Sequence, residues 1–179
     1  MSDNSKITIK IPVFKTAVAA VTVALLVIGG AVYTFKSTQA LTLTTGSLIK
    51  GTSYPAVYFY ASNGKRYVYT HQKNFNTWYK DFSGVQIITD TELAAISLGG
   101  NITYRAGTRL IKIQSDPKTY AVEPGGKLRW VTSEAIASTL WGASWAQRID
   151  DVSDAFFTNY AVAADLNTYA YPSGSLVKT

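Results

Sequence analysis

The hydrophobic pattern divides the chain near its start. Residues 16–35 (TAVAAVTVALLVIGGAVYTF) make a run of 20 positions without a charge. A helix of that length rises about 30 Å, the hydrocarbon thickness of a bilayer. No polar stripe recurs at the 3.6-residue period of a soluble amphipathic helix. The run therefore predicts a transmembrane helix or signal anchor over 16–35. Val18, Val21, Val23, Leu25, Leu26, Val27 and Ile28 supply its apolar surface, and Gly29 and Gly30 would let a neighbouring helix approach closely. Lys6, Lys10 and Lys15 precede the run and Lys36 follows it. This bias places the basic N-terminus, 1–15, in the cytoplasm and the main domain outside the cell membrane, with the lipid bilayer or neighbouring apolar helices as partners. Two outcomes stay open: a retained anchor, or a signal peptide cut after Ala40 that would leave a secreted product.

After a linker over 36–45 the pattern changes to short strands and helices, and it repeats. Leu48-Ile49-Lys50 recurs as Leu110-Ile111-Lys112, with Pro55 and Tyr58 matching Pro117 and Tyr120 at the same offset. Arg66-Tyr67-Val68 recurs one residue further on as Arg129-Trp130-Val131, Phe82 meets Trp145, and Ile88 and Asp90 match Val152 and Asp154. These pairs keep their order, which predicts two copies, 46–106 and 107–160, with 97–106 as a connection at the end of the first. In the first copy 56–61 alternates apolar and polar, Asn63-Gly64 marks a hairpin turn, and 65–70 returns. The second copy has strands over 119–123 and 127–132 around Pro124-Gly125-Gly126. Helical stretches follow each hairpin, over 72–79 and over 133–141 with Ser133 as N-cap, and Asp90 and Asp154 are expected to cap later short helices. The predicted class is α+β: an N-terminal transmembrane helix, then two tandem repeats of antiparallel β-hairpins with short helices. In the last segment, 161–179, Leu176, Val177 and Lys178 echo the opening strand of each copy. Such an orphan strand must pair its backbone within the molecule or on a neighbour's edge, where it would serve as an assembly strand.

Composition removes several kinds of chemistry. The chain of 179 residues has no cysteine and one histidine, His71, which excludes thiol nucleophiles, disulfides and multi-histidine metal centres. Four lysines up to Lys36 account for part of the net charge of +6. The mildly basic remainder shows no basic stripe, so no nucleic-acid partner is expected. His71 lies at a helix start and reads as a polar residue there, since no nucleophile elbow accompanies it. Asp90 with Glu92, and Asp150 with Asp151, read as helix-capping and solvated carboxylates rather than a hydrolytic pair. The spacing of Asp150, Asp151 and Asp154 lacks the alternation and the glycine of a calcium loop. No catalytic residue, metal or cofactor is therefore expected.

Aromatic residues are abundant: 12 Tyr, 7 Phe and 4 Trp. Trp78, Phe82, Trp130, Trp141 and Trp145 fall at matched or nearly matched places of the two copies and are expected in the core. Tyr58, Tyr60 and Tyr69 flank the Asn63-Gly64 turn and could share an exposed ligand or interface surface. The segments Asn101-Ile-Thr-Tyr-Arg-Ala-Gly-Thr-Arg-Leu-Ile-Lys-Ile and Tyr120-Ala-Val-Glu-Pro-Gly-Gly-Lys-Leu-Arg-Trp-Val resemble an uncharacterised repeat of exported proteins in small-genome bacteria. Gly64-Lys65-Arg66-Tyr67-Val68 fits the same pattern. The resemblance implies a cell-surface context and carries no site residues. Together these features lead to the expectation of a non-enzymatic, membrane-anchored surface protein that self-associates as a subunit of a layer or filament. The alternative is a module that binds cell-wall polysaccharide through exposed Tyr and Trp.

Overall fold

The computed structural model describes residues 23–28, 31–36 and 42–175. The chain falls into two compact units, Met1–Leu41 and Thr42–Thr179. In the first, the apolar run forms two antiparallel strands, β1 (Val23–Ile28) and β2 (Ala31–Lys36), paired from Val23 with Lys36 to Ile28 with Ala31. This corrects the expected helix over 16–35. Val23, Leu25, Leu26, Val27 and Ile28 belong to β1, not to a helical anchor. The physical reason is composition: Val, Ile, Thr, Tyr and Phe dominate the two strands and favour extended backbone, and a Gly-Gly pair between such runs is a hairpin signal. Among the described residues no helix is long and apolar enough to cross a membrane. Val18, Val21, Gly29 and Gly30 lie outside the described residues.

The second unit holds two five-stranded mixed sheets built on one plan. The first copy contains β3 (Leu48–Lys50), β4 (Tyr58–Tyr60), β5 (Arg66–Tyr69), α1 (Gln72–Asn76), β6 (Val85–Ile87), α2 (Asp90–Ala95) and β7 (Leu98–Ile102). The second contains β8 (Leu110–Ile113), β9 (Asp116–Glu123), β10 (Lys127–Trp130), α3 (Glu134–Trp141), β11 (Ile149–Val152), α4 (Asp154–Phe157) and β12 (Ala161–Val162). The sheet orders are β6-β3-β4-β5-β7 and β11-β8-β9-β10-β12. In each, three antiparallel strands are flanked by a parallel strand on either side. The stretch 97–106, expected as a connection, thus contains β7, the closing strand of the first sheet. Its counterpart β12 falls at the start of the last segment, 161–179, where only the strand around Leu176, Val177 and Lys178 was expected.

Backbone pairing corrects one part of the sequence alignment. Tyr58 pairs with Val68 and Tyr120 with Trp130. The amide of Tyr69 donates to Val57 O at 3.1 Å, and that of Val131 to Thr119 O at 2.9 Å. The offset of 62 therefore persists through the hairpin, and Val68 corresponds to Trp130. Matching Arg66 to Arg129 by residue type slips the strand by one, which exchanges the faces of the sheet.

Local chemistry explains the turns and caps. Gly64 takes a φ of 73°, which the Asn63-Gly64 turn requires and which a β-carbon would strain. Ser133 caps α3, its hydroxyl accepting the Ile136 amide at 3.3 Å. Asp90 and Asp154 are not caps; they occupy the first helical positions behind Thr89 and Ser153. Thr89 forms a capping box with Glu92. Gly99 serves another need, because a β-carbon there would collide with the Tyr67 ring lying against the strand.

Both faces of the sheets are covered, so adjacent strand residues such as Leu48 and Ile49 are both buried. Leu48, Val57 and Tyr69 pack with Phe75 of α1. Leu110, Ala121, Val131 and Leu166 pack with Ile136, Ala137 and Leu140 of α3. On the second sheet's other face Ile111, Tyr120, Val122, Leu128 and Val152 form a core with Tyr104, backed by Phe156 and Phe157 of α4. Trp130, Trp141 and Trp145 are partly buried against these cores. Trp78 and Phe82, expected inside, are 40% and 44% exposed. Trp78 is held by its indole N–H, which donates to Thr103 O at 2.9 Å, and Phe82 stacks on Phe75 at 4.3 Å.

Candidate functional site

A cleft of about 660 Å³ opens beside the first sheet, where β4 begins and β5 ends. Each wall traces to a local element. Tyr54 precedes β4, and Tyr58 lies on it. Tyr69 ends β5, His71 caps α1, and Phe75 sits inside that helix. Leu93 reaches the cleft from α2, and Phe156 from α4 of the second copy. The aromatic walls are braced by their own contacts. Phe75 meets the edge of Tyr69 at 5.1 Å and the tilted ring of Tyr79 at 5.2 Å. The Arg66 guanidinium lies 4.8 Å from the centre of the Tyr58 ring, a cation–π contact that holds the ring in place. Burial, with Tyr79 beside it, pushes the Tyr69 hydroxyl well above the usual phenol range, so it stays a neutral hydrogen-bonding group. Among the described residues that line the cleft, no side chain is Asp, Glu, Lys or Arg.

A polar cluster underlies one end of the cleft and joins the two copies. His71 Nδ1 accepts the Asn74 amide N–H at 3.2 Å, which makes His71 the N-cap of α1. A neutral ring that accepts at Nδ1 carries its proton on Nε2, which faces Tyr104 Oη at 3.5 Å. Behind Tyr104 stands the Asp150 carboxylate, 4% exposed. Arg109 donates to it twice, from Nε at 3.1 Å and from Nη2 at 2.9 Å, while Lys73 lies at 3.4 Å. Burial raises the Asp150 pKa, but the hydrogen bonds and charge of Arg109, with Lys73, outweigh it and hold the carboxyl below the usual range. Asp150 was expected on the solvated surface and is instead the buried anion between the copies. Asp151, its neighbour, is exposed and paired with Lys112 at 3.4 Å.

His71 is suited to capping rather than proton transfer. Its Nδ1 is occupied by a backbone amide and its Nε2 by a tyrosine, and among the described residues no serine hydroxyl bonds to either nitrogen. Burial lowers its pKa below the ordinary 6.5; Asp150 opposes this and Lys73 adds to it. The stability this neutral cap contributes is complete above about pH 6.5. It declines as the pH falls through the depressed folded value, because the unfolded chain takes up the proton first. Stability measured from pH 7.5 to 5.5 should therefore decrease on acidification. His71→Asn, which keeps a capping acceptor but does not titrate, should flatten that slope. His71 is the chain's one histidine, so an unchanged slope in the variant would count against this assignment.

The structure brings together only part of what the sequence singled out. Tyr58 and Tyr69 both line the cleft, although Tyr69 is a buried wall rather than an exposed ring. Tyr60 lies on β4 outside it. Leu176, Val177 and Lys178 lie outside the described residues. Just before them the Ser173 amide donates to Glu123 Oε1 at 3.1 Å, tying this part of the chain to the second copy. Leu93 and Phe156 carried no sequence signal, because nothing local marks an aliphatic or aromatic helix residue as a cleft wall. No group of three or more His, Cys, Asp or Glu side chains among the described residues could hold a metal ion. No family model, curated protein or solved structure matches the chain.

Proposed function

We propose that this protein is a non-catalytic binding module that seats an uncharged, N-acetylated polysaccharide in the cleft of its first copy. The observation that carries this reading is the cleft itself: tyrosine and phenylalanine walls without a charged lining residue, interrupted by a few neutral polar groups. Sugar rings present apolar C–H faces that stack on aromatic rings, and acetyl methyls suit aliphatic walls. Their hydroxyls and amides need neutral donors and acceptors, which Thr70, Gln72 and the tyrosine hydroxyls supply. Among the described residues no Asp, Glu, Lys or Arg lines the cleft to pair with a charged glycan, and the Arg66 guanidinium beside it is turned onto the Tyr58 ring. Tyr54, 74% exposed at the rim, is placed to stack on a ring entering from solvent.

The test is retention of the full chain on isolated cell-wall polysaccharide, read as bound fraction against polysaccharide concentration. Tyr58→Ala should weaken retention at least about tenfold, the loss of roughly 1.4 kcal/mol expected for removing one stacking ring. Tyr60→Ala, outside the cleft on the same strand, should bind as the unaltered chain does. Equal retention of Tyr58→Ala and the unaltered chain would refute the reading.

A further inference from the structure

We infer that the second copy carries the same binding site in a plugged form, and that Leu93 and Val68 are the residues that keep the first site open. The inference rests on the binding reading above and extends it from one site to the pair. Three positions decide it. Tyr58 and Tyr120 are equivalent: each follows the same proline by three residues, lies on the central strand of its sheet and faces the second residue of the first strand of its copy, Ile49 or Ile111. Across the hairpin Tyr58 faces Val68, whereas Tyr120 faces Trp130. Asp90 and Asp154 both open the second helix of their copies, so Leu93 of α2 corresponds to Phe157 of α4.

At both variable positions, then, the second copy carries the larger side chain. Phe157 packs on Tyr120 with ring centres 5.6 Å apart, and Trp130 joins the same cluster. Lys118 covers the outer face of Trp130, its Nζ 4.8 Å from the ring centre. Tyr120 is consequently buried, at 4% exposure, while Tyr58 is half-buried and lines an open cleft beside Leu93 and Val68. The backbones share one topology, so the difference lies in side-chain volume: an indole for an isopropyl group and a phenyl ring for an isobutyl group. A close-packed interior has no room for both a ligand and these rings. One copy receives a ligand and the other uses the same place as core.

The absence of native cysteine allows a test that needs no ligand. Single thiols are introduced in the full chain by Tyr58→Cys or Tyr120→Cys, and their labelling by a small maleimide is timed. The thiol at position 58 should react at least tenfold faster than that at 120. Adding Leu93→Phe, or separately Val68→Trp, should slow labelling at 58 by a similar factor. Each of these changes places in the first copy the residue the second already accommodates, and two separate variants guard against one that misfolds. In the otherwise unaltered chain Leu93→Phe should reduce retention on wall polysaccharide at least tenfold without lowering the melting temperature. Equal labelling rates at 58 and 120, or full retention by Leu93→Phe, would overturn the inference. If the unaltered chain itself is not retained, the proposed function fails, and the labelling rates alone decide whether the second site is plugged.

Discussion

Asp150→Ala is expected to destabilise the two-copy body by about 3 kcal/mol, the lower end of what removing one member of a buried ion pair costs. Asp150 is buried and receives two hydrogen bonds from Arg109, while Lys73 approaches from the first copy. Removing the carboxylate leaves the Arg109 guanidinium without its anion. Arg109 retains a bond to Gln147 O at 3.0 Å, and its side chain is 33% exposed, so water can compensate part of the loss. Lys73, 71% exposed on its side chain, loses little. For a body of this size the change corresponds to a fall of about 10 °C in melting temperature. All four tryptophans lie beyond residue 42, so their fluorescence reports this body directly. Asp150→Asn should lose less, since an amide oxygen still accepts one guanidinium hydrogen bond. A shift below about 2 °C in the alanine variant would mean that the Arg109–Asp150 pair contributes nothing net to the stability of this body.

Phe75→Ala should have the largest effect, about 4 kcal/mol, within the range for deleting a buried phenylalanine ring. Its side chain is 1% exposed and contacts three aromatic rings, those of Tyr69, Tyr79 and Phe82. The five-residue α1 cannot hold its shape without that anchor, since so short a helix depends on tertiary packing. Stability and binding should therefore fall together in Phe75→Ala, whereas Tyr58→Ala should lose binding with little loss of stability. Denaturant unfolding alongside polysaccharide retention separates the two. Phe75→Leu, which keeps most of the volume, should recover the larger part of both. If Phe75→Ala unfolds at the same denaturant concentration as the unaltered chain, the aromatic cluster is not the core of the first copy.

How much of this was legible in the sequence depended on how local each signal was. The Asn63-Gly64 turn and the Ser133 cap are decided within a few residues, and they were read directly. The apolar run over 16–35 was ambiguous: length and lack of charge suit a helix, while β-branched composition and a central Gly-Gly suit a hairpin, and extended pairing prevailed. The closing strands were missed because their partners are distant: β7, with a Gly-Gly pair inside it, pairs with β5 about 33 positions earlier, and β12, two residues long, pairs with β10 about 34 positions earlier. Asp150 looked like a surface acid because its partners Arg109 and Lys73 stand 41 and 77 positions away. The cleft was half visible. Tyr58 and Tyr69 stood out as aromatics beside a turn, but Leu93 and Phe156 enter from helices that only the tertiary fold brings together. The one-residue slip in the repeat alignment concealed the Val68–Trp130 equivalence, and with it the contrast between an open and a filled site.

The number of ligand sites per chain tests the account most directly. Titration calorimetry of the full chain with a hexamer of β-1,4-linked N-acetylglucosamine measures it. Saturation at one hexamer per chain is predicted, with heat and affinity both reduced by Tyr58→Ala. Heat that never rises above dilution, or saturation at two per chain, would contradict a first copy that holds sugar beside a second that has filled the same space with its own rings.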